Sequence, residues 1–201
     1  MKTLILARHG HAASNVADIV SCLPPGEGLS DLGMAEGAAL RAMLAGDDIG
    51  LGVASELRRT QETLALAFDG REVPTVVVPQ LNEINFGSYE GGSLAAYREW
   101  AWSTAPDAEC PGGGESRTAM ATRVAGALDW LLDRPEDTIL AVWHALPIRY
   151  VLEGAGGRRP PARIGTIPHA DPYRLRRADV ERAAENLRTW VLAPRFADEE
   201  A

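Results

Sequence analysis

Apolar residues in this chain follow two rhythms. Short unbroken runs occur at Thr3–Ala7 (TLILA), Leu51–Ser55 (LGVAS), Val73–Pro79 (VPTVVVP) and Thr138–Trp143 (TILAVW). Runs this short, without alternation, predict strands buried on both faces of a parallel sheet. Between them apolar residues recur at three- and four-residue intervals. Ser30 is a candidate N-cap for a helix reaching about Ala45, and Glu56–Ala67 is a second helix with Leu57, Leu64 and Phe68 available to pack inward. Ser116–Asp133 is a third, where Met120, Val124, Leu128, Leu131 and Leu132 fall at helical spacing and Pro135 follows the end. After Leu152, the cluster of Gly154, Gly156, Gly157, Pro160 and Pro161 predicts a loop. The segments YRLRRADV (Tyr173–Val180) and LRTWVLA (Leu187–Ala193) read as the last strands, and the terminal DEEA as a solvated tail.

Strands alternating with helices predict an α/β fold, a three-layer sandwich with a mainly parallel central sheet. The 201 residues suit a single domain, 1–201. The stretch from about 79 to 114, with two Trp and many Gly and Pro, reads as a lid-like insertion beside the sheet.

Composition narrows the function. The formal charge is −8, from 20 basic and 28 acidic residues, so broad attraction to nucleic acid or to an anionic membrane is not expected. An anionic substrate would need its cations gathered in one pocket. Cys22 and Cys110 form no CxxC and suggest neither a zinc site nor a disulfide framework. The start, MKTLILARHG, lacks the pattern of a signal peptide, and no run approaches the roughly 18 apolar residues of a membrane span. A cytoplasmic protein is the expectation.

In open parallel sheets ligands bind beyond the carboxyl ends of the strands. The first strand is followed by Arg8, His9, Gly10 and His11, the second by Arg58 and Arg59, the third by Glu83 and Glu90, and the fourth by His144. Three readings compete. His9 and His11, with His144, could chelate a divalent ion, but Arg8 and Arg59 would bring positive charge to it. The segment could also be a polar loop without chemistry. The third reading is phosphoryl transfer. Guanidinium forks match phosphoryl oxygens, a neutral imidazole is a nucleophile at pH 7, and a carboxyl group can protonate a leaving oxygen and then activate water. Glycine lets backbone approach a phosphate. Arg8, His9, Gly10, Arg59, Glu83 and His144 supply all these parts, and their convergence at successive strand ends favours this reading.

These residues resemble the histidine phosphatase superfamily, also called phosphoglycerate-mutase-like, from about Thr3 to Tyr173. Arg8-His9-Gly10 resembles its signature, and LSDLGMAEG, with Gly33, its Leu-Thr/Ser-x-x-Gly segment. SELRRTQET, LNEINFGSYEG, Gly113–Ser116 with Arg123, and AVWHALPIR resemble its further motifs in order. The resemblance implies that His9 attacks phosphorus and that Arg8, Arg59 and His144 hold the phosphoryl oxygens. It implies that Glu83 is the proton donor, that Asn15 touches phosphate, and that no metal or cofactor takes part. The chain departs from the family at His11 and Ala12, where Glu or Gln and then Ser or Thr are common. It departs again at Ala145, Leu146 and Pro147, which replace a Gly-Gly pair on the substrate rim, and at His169, near where an Asn is common.

The function expected is a metal-independent phosphomonoesterase of the histidine acid phosphatase type, acting on a small phosphorylated metabolite. A phosphoglycerate-mutase-type phosphotransferase is second, and a non-catalytic phosphate-binding protein is third. Specificity is expected from His11, Cys22–Gly28, Tyr89–Trp102 and His169, with Trp100 and Trp102 serving as lid packing. A homodimer is compatible with the sequence.

Overall fold

The computed structural model describes residues 1–197, so the DEEA tail lies outside the described residues. Five strands form one sheet: β1 (Thr3–Arg8), β2 (Leu51–Ala54), β3 (Thr75–Val77), β4 (Thr138–Trp143) and β5 (Pro172–Arg176). Their order is β3-β2-β4-β1-β5. All neighbours are parallel except β5, which runs antiparallel to β1 with Leu6 opposite Tyr173. The expected α/β sandwich with a mainly parallel sheet is the fold observed.

The unbroken apolar runs have a direct cause. Successive side chains of a strand point to opposite faces, and both faces here are covered. Leu4 and Leu6 of β1, with Ile139, Ala141 and Trp143 of β4, enter a core shared with three helices: α5 (Arg117–Leu132), α6 (Ala145–Ala155) and α7 (Arg177–Leu192). Ile5, Ala7, Leu140 and Val142 enter the opposite core, with Leu40 and Leu44 from α2 (Asp31–Met43) and its C-terminal end, and Leu64 and Ala67 from α3 (Arg58–Ala67). On that face of β2 a Cβ at Gly52 would sit 2.3 Å from the Phe68 ring, so the strand's one glycine makes room for an aromatic edge. A single turn, α1 (Ala13–Val16), follows β1, and α4 (Leu94–Ser103) lies inside the 79–114 stretch.

Four expectations are corrected. The Val73–Pro79 run gives only the three-residue β3, an edge strand whose residues are all exposed; the prolines at 74 and 79 bound it, and nothing pairs with its outer edge among the described residues. LRTWVLA is helical, part of α7: Val180, Ala183, Ala184, Leu187 and Trp190 are buried at three- and four-residue spacing, a stripe that only a helix presents to one side. YRLRRADV splits, with Tyr173–Arg176 in β5 and Arg177–Val180 opening α7. The glycine cluster after Leu152 is not all loop either. Gly154 lies inside α6, and a Cβ there would come 3.0 Å from the Ala183 carbonyl oxygen, so this glycine permits the close crossing of α6 and α7. Two helices without clear sequence signals, α4 and α6, complete the fold. Pro147 sits in the first turn of α6, where its missing N–H costs no helical hydrogen bond. Among the described residues no helix is long and apolar enough to cross a membrane.

Candidate active site

The carboxyl ends of β1, β2 and β4 face one cavity of about 430 Å³. Arg8 is the last residue of β1 and His9 follows it, held in line by its N–H donating to the Trp143 carbonyl at 3.0 Å. His144 follows β4 as N-cap of α6. Arg59 is the second residue of α3, after β2. The His9 and His144 rings lie 5.3 Å apart between centroids.

Hydrogen bonds fix the proton on each imidazole. His9 Nδ1 is 2.8 Å from the Gly10 carbonyl oxygen, which can only accept, so Nδ1 carries the proton and Nε2 keeps its lone pair. Arg59 Nε donates to that Nε2 at 3.2 Å. His144 is set by a longer relay. The Thr60 hydroxyl donates to the Leu57 carbonyl at 2.7 Å, so Thr60 Oγ1 accepts from the Ser55 hydroxyl at 2.9 Å. Ser55 Oγ then accepts from His144 Nε2 at 3.0 Å. The bare Nδ1 of His144 faces Arg59 Nη2, at 3.4 Å, and the Glu83 carboxyl, at 4.0 Å.

Burial sets the charge states. Both imidazoles are held well below the usual histidine range, first by burial and then by the charge of Arg59, with Arg8 adding to it. The Glu83 carboxyl is pushed up by burial, against the pull of the Ile84 N–H, Arg59 and Arg8. Burial also lowers both guanidiniums, that of Arg8 to about 10. Arg8 Nη1 donates to the Ile167 carbonyl at 2.8 Å, and Arg59 Nη2 to the Ser21 carbonyl at 2.8 Å. Arg8 Nε and Arg59 Nη1 remain buried without a partner. Two neutral imidazoles, two guanidiniums with open donors and a carboxyl that holds a proton at higher pH than usual therefore meet at one point. This set suits a tetrahedral oxyanion with a nucleophile behind it and an acid in front.

The loop carrying Glu83 is clamped. Arg123 of α5 donates to the carbonyls of Gln80, Asn82 and Glu83 at 2.8, 2.8 and 3.3 Å, and forks onto Glu115 at 2.8 and 2.7 Å. Glu115 Oε2 also accepts from the Asn85 N–H at 2.9 Å. The Gly113–Ser116 and Arg123 stretch thus holds the carboxylate loop.

The other residues singled out in the sequence are placed as follows. Asn15 and Ala145 line the cavity, and Asn15 Oδ1 accepts from the Ala12 N–H at 2.9 Å, which leaves its amide N–H groups as donors. Gly10 and His11 do not line it. Gly10 N–H donates to Thr63 Oγ1 at 2.9 Å, and a Cβ there would lie 2.6 Å from the Gly33 carbonyl oxygen, so its glycine serves the approach of α2. His11 Nδ1 donates to Ser30 Oγ at 2.9 Å, because the Ser30 hydroxyl already donates to the His11 carbonyl at 3.0 Å. His169 Nδ1 donates to the His9 carbonyl at 2.7 Å and steadies the backbone of that residue. Arg58 turns to Glu62, 2.6 Å away, and does not line the cavity. Among the described residues no three His, Cys, Asp or Glu group as a metal site. Tyr97, within the Tyr89–Trp102 stretch expected to set specificity, lines the cavity wall; the sequence reading missed Arg117 beside it, whose signal was a cation directly after the Ser116 helix cap, at the wrong end of a helix dipole.

The chain is similar to known proteins. A family model described as the histidine phosphatase superfamily (branch 1) matches residues 4–193. An adenosylcobalamin/alpha-ribazole phosphatase of Salmonella typhimurium is 32% identical over 130 residues, which is 60% of this chain and 62% of that protein, less than two thirds of its length. A probable phosphoglycerate mutase, GpmB, of Erwinia tasmaniensis is 32% identical over 95% of this chain and 88% of its own. The alpha-ribazole phosphatase structure from Shigella flexneri matches with a TM-score of 0.74 at 26% identity, over 86% of this chain and 89% of that one.

Proposed function

The chain belongs to the histidine phosphatase superfamily, and we propose that it is a phosphomonoesterase of the histidine acid phosphatase type that hydrolyses a small phosphorylated metabolite through a phosphohistidine. The observation that carries this reading is the His9 tautomer: its Nε2 keeps a lone pair, which accepts from Arg59 Nε, while Arg8 Nε and Arg59 Nη1 are donors without a partner.

In the first step His9 Nε2 forms a bond to phosphorus while the bond to the ester oxygen breaks. Arg59 Nε moves its hydrogen bond from His9 to a phosphoryl oxygen, and Arg8, Arg59 and the Asn15 amide take the charge of the transferring group. Protonated Glu83 gives its proton to the departing alcohol. In the second step Glu83, now a carboxylate, takes a proton from water as the water oxygen attacks phosphorus and the P–N bond breaks. His144 stays neutral at rest; when the oxyanion arrives, a proton on its Nδ1 would add a further donor, with Ser55 still holding Nε2. Residues 79–114 act as the lid, contributing Glu83, Tyr97 and Trp102 to the cavity. No divalent metal enters these steps.

The test is phosphate release from p-nitrophenyl phosphate and from phosphorylated sugars, glycerates and nucleosides, with chelator present. The expected result is chelator-resistant release. The match to a phosphoglycerate mutase over nearly the whole chain favours a second reading. Phosphate transfer that requires 2,3-bisphosphoglycerate, with no net release, would establish that one instead.

A further inference from the structure

We propose that the cavity holds a second anion subsite, built on Arg117 and the Tyr97 hydroxyl, and that the substrate is a phosphomonoester whose alcohol carries a carboxylate or a second phosphate. This rests on the phosphomonoesterase reading for the role of the first subsite.

Charge is distributed unevenly in the cavity wall. In a protein of net charge −8, the wall includes five arginines (Arg8, Arg59, Arg98, Arg117 and Arg163) and one carboxylate, Glu83. Arg8 and Arg59 account for one phosphoryl group. Arg117 is of another kind. It is 8% exposed, its Nε and Nη1 are buried without a hydrogen-bond partner, and among the described residues it makes no ion pair. Tyr97, 4% exposed, presents a buried hydroxyl that likewise has no partner. The guanidinium lies near both Tyr97 and Tyr150, whose phenols are pushed up by burial against the opposing charge of Arg117; Tyr150 also comes within hydrogen-bonding reach of it, so the partner the fold offers Arg117 is a neutral phenol and not an anion.

A structural arginine in this fold looks different. Arg123 spends its donors on three carbonyls and a carboxylate. Arg117 has no such use. It also sits at the first position of a 16-residue helix, where the helix dipole opposes a cation. A buried, unpaired charge at that position is costly unless a counter-ion arrives. An anionic group of the ligand supplies it, and the Tyr97 hydroxyl donates to the same group. Apolar wall residues such as Ile84, Phe86 and Leu146 suit an uncharged spacer in the rest of the ligand.

The experiment compares phenyl phosphate, 4-carboxyphenyl phosphate and 1,4-phenylene bisphosphate, with 3-phosphoglycerate against glycerol 3-phosphate as a shorter pair. In wild type at least one doubly anionic probe is expected to exceed its singly anionic partner in kcat/KM by about tenfold or more. The carboxylate and bisphosphate arms distinguish the two anions. In Arg117→Met that ratio collapses toward one, and Arg117→Lys restores part of it. Calorimetric binding of the same probes to His9→Ala and to His9→Ala with Arg117→Met decides the subsite even if wild type hydrolyses none of them, in which case the phosphatase reading fails alone. A preference that persists in folded Arg117→Met, or no preference in any pair, overturns the subsite.

Discussion

Arg59 Nε donates to His9 Nε2 at 3.2 Å, so the cation that would hold the phosphoryl group rests on the atom that would attack it. Burial keeps His9 neutral and the contact adds to it, since a guanidinium beside an imidazole opposes its protonation. It also means that one side chain serves both reactants. Arg59→Lys keeps the charge but loses the fork, and Lys cannot span His9, Ser21 and a phosphate together. A fall in kcat/KM of about 10²- to 10³-fold is expected, with the melting temperature as the control for folding.

Glu83 acts on the leaving group, so its removal should depend on that group. In Glu83→Gln, hydrolysis of an alkyl phosphate is expected to fall by about 10²- to 10⁴-fold, and p-nitrophenyl phosphate much less, because nitrophenolate leaves without a proton. The raised pKa of the carboxyl gives the pH profile its sign. Wild-type activity on the alkyl ester declines as pH rises through that pKa and the acid is lost. The variant lacks this limb. Equal loss on both esters would place the donor elsewhere.

Acid should destabilise the fold early. His9, His144 and His169 all have lowered values, that of His169 reaching about 4 through burial and the nearby Arg8 charge. The unfolded chain binds their protons near 6.5 and the native state does not, so stability is lost as pH falls below about 6.5. Glu83 works in the opposite sense, since its raised value favours the native state in acid, but it is one group against three. Melting temperatures between pH 8 and 4 check this, and His169→Gln is expected to flatten the decline.

Gly33 is a packing requirement. A Cβ there would lie 2.0 Å from the His11 carbonyl oxygen, a backbone atom that cannot swing aside. Gly33→Ala is expected to cost about 1–3 kcal/mol or more in denaturant melts, and to reduce activity by shifting the segment behind His9.

Much of the site was legible because its residues follow strands that announce themselves. Leu4–Ala7 and Ile139–Trp143 are buried on both faces, and Arg8, His9 and His144 stand where those runs end. The resemblance of SELRRTQET to the family's motif pointed to Arg59, and helical geometry added that Arg58 and Arg59 cannot both face the site. What the sequence hid depends on tertiary contact. The glycine at position 10 suggested room for phosphate, but its reason is the Gly33 carbonyl. His11 suggested a ligand-facing group, but its partner, Ser30, lies 19 residues away. The α7 helix was concealed because two of its five buried positions are alanine, while the Trp-Val-Leu at its end imitates a strand. Arg117 was not singled out in the sequence, and the burial of its unpartnered donors is what sets it apart in the fold.

The central claim is that His9 carries the phosphoryl group. Rapid quenching of the enzyme with a ³²P-labelled substrate, followed by peptide mapping, tests it most directly. The account predicts an acid-labile, base-stable phosphoenzyme located at His9, formed and discharged fast enough to match turnover, and absent in His9→Ala. Turnover that survives in His9→Ala, or a phosphoenzyme on another residue, would contradict it.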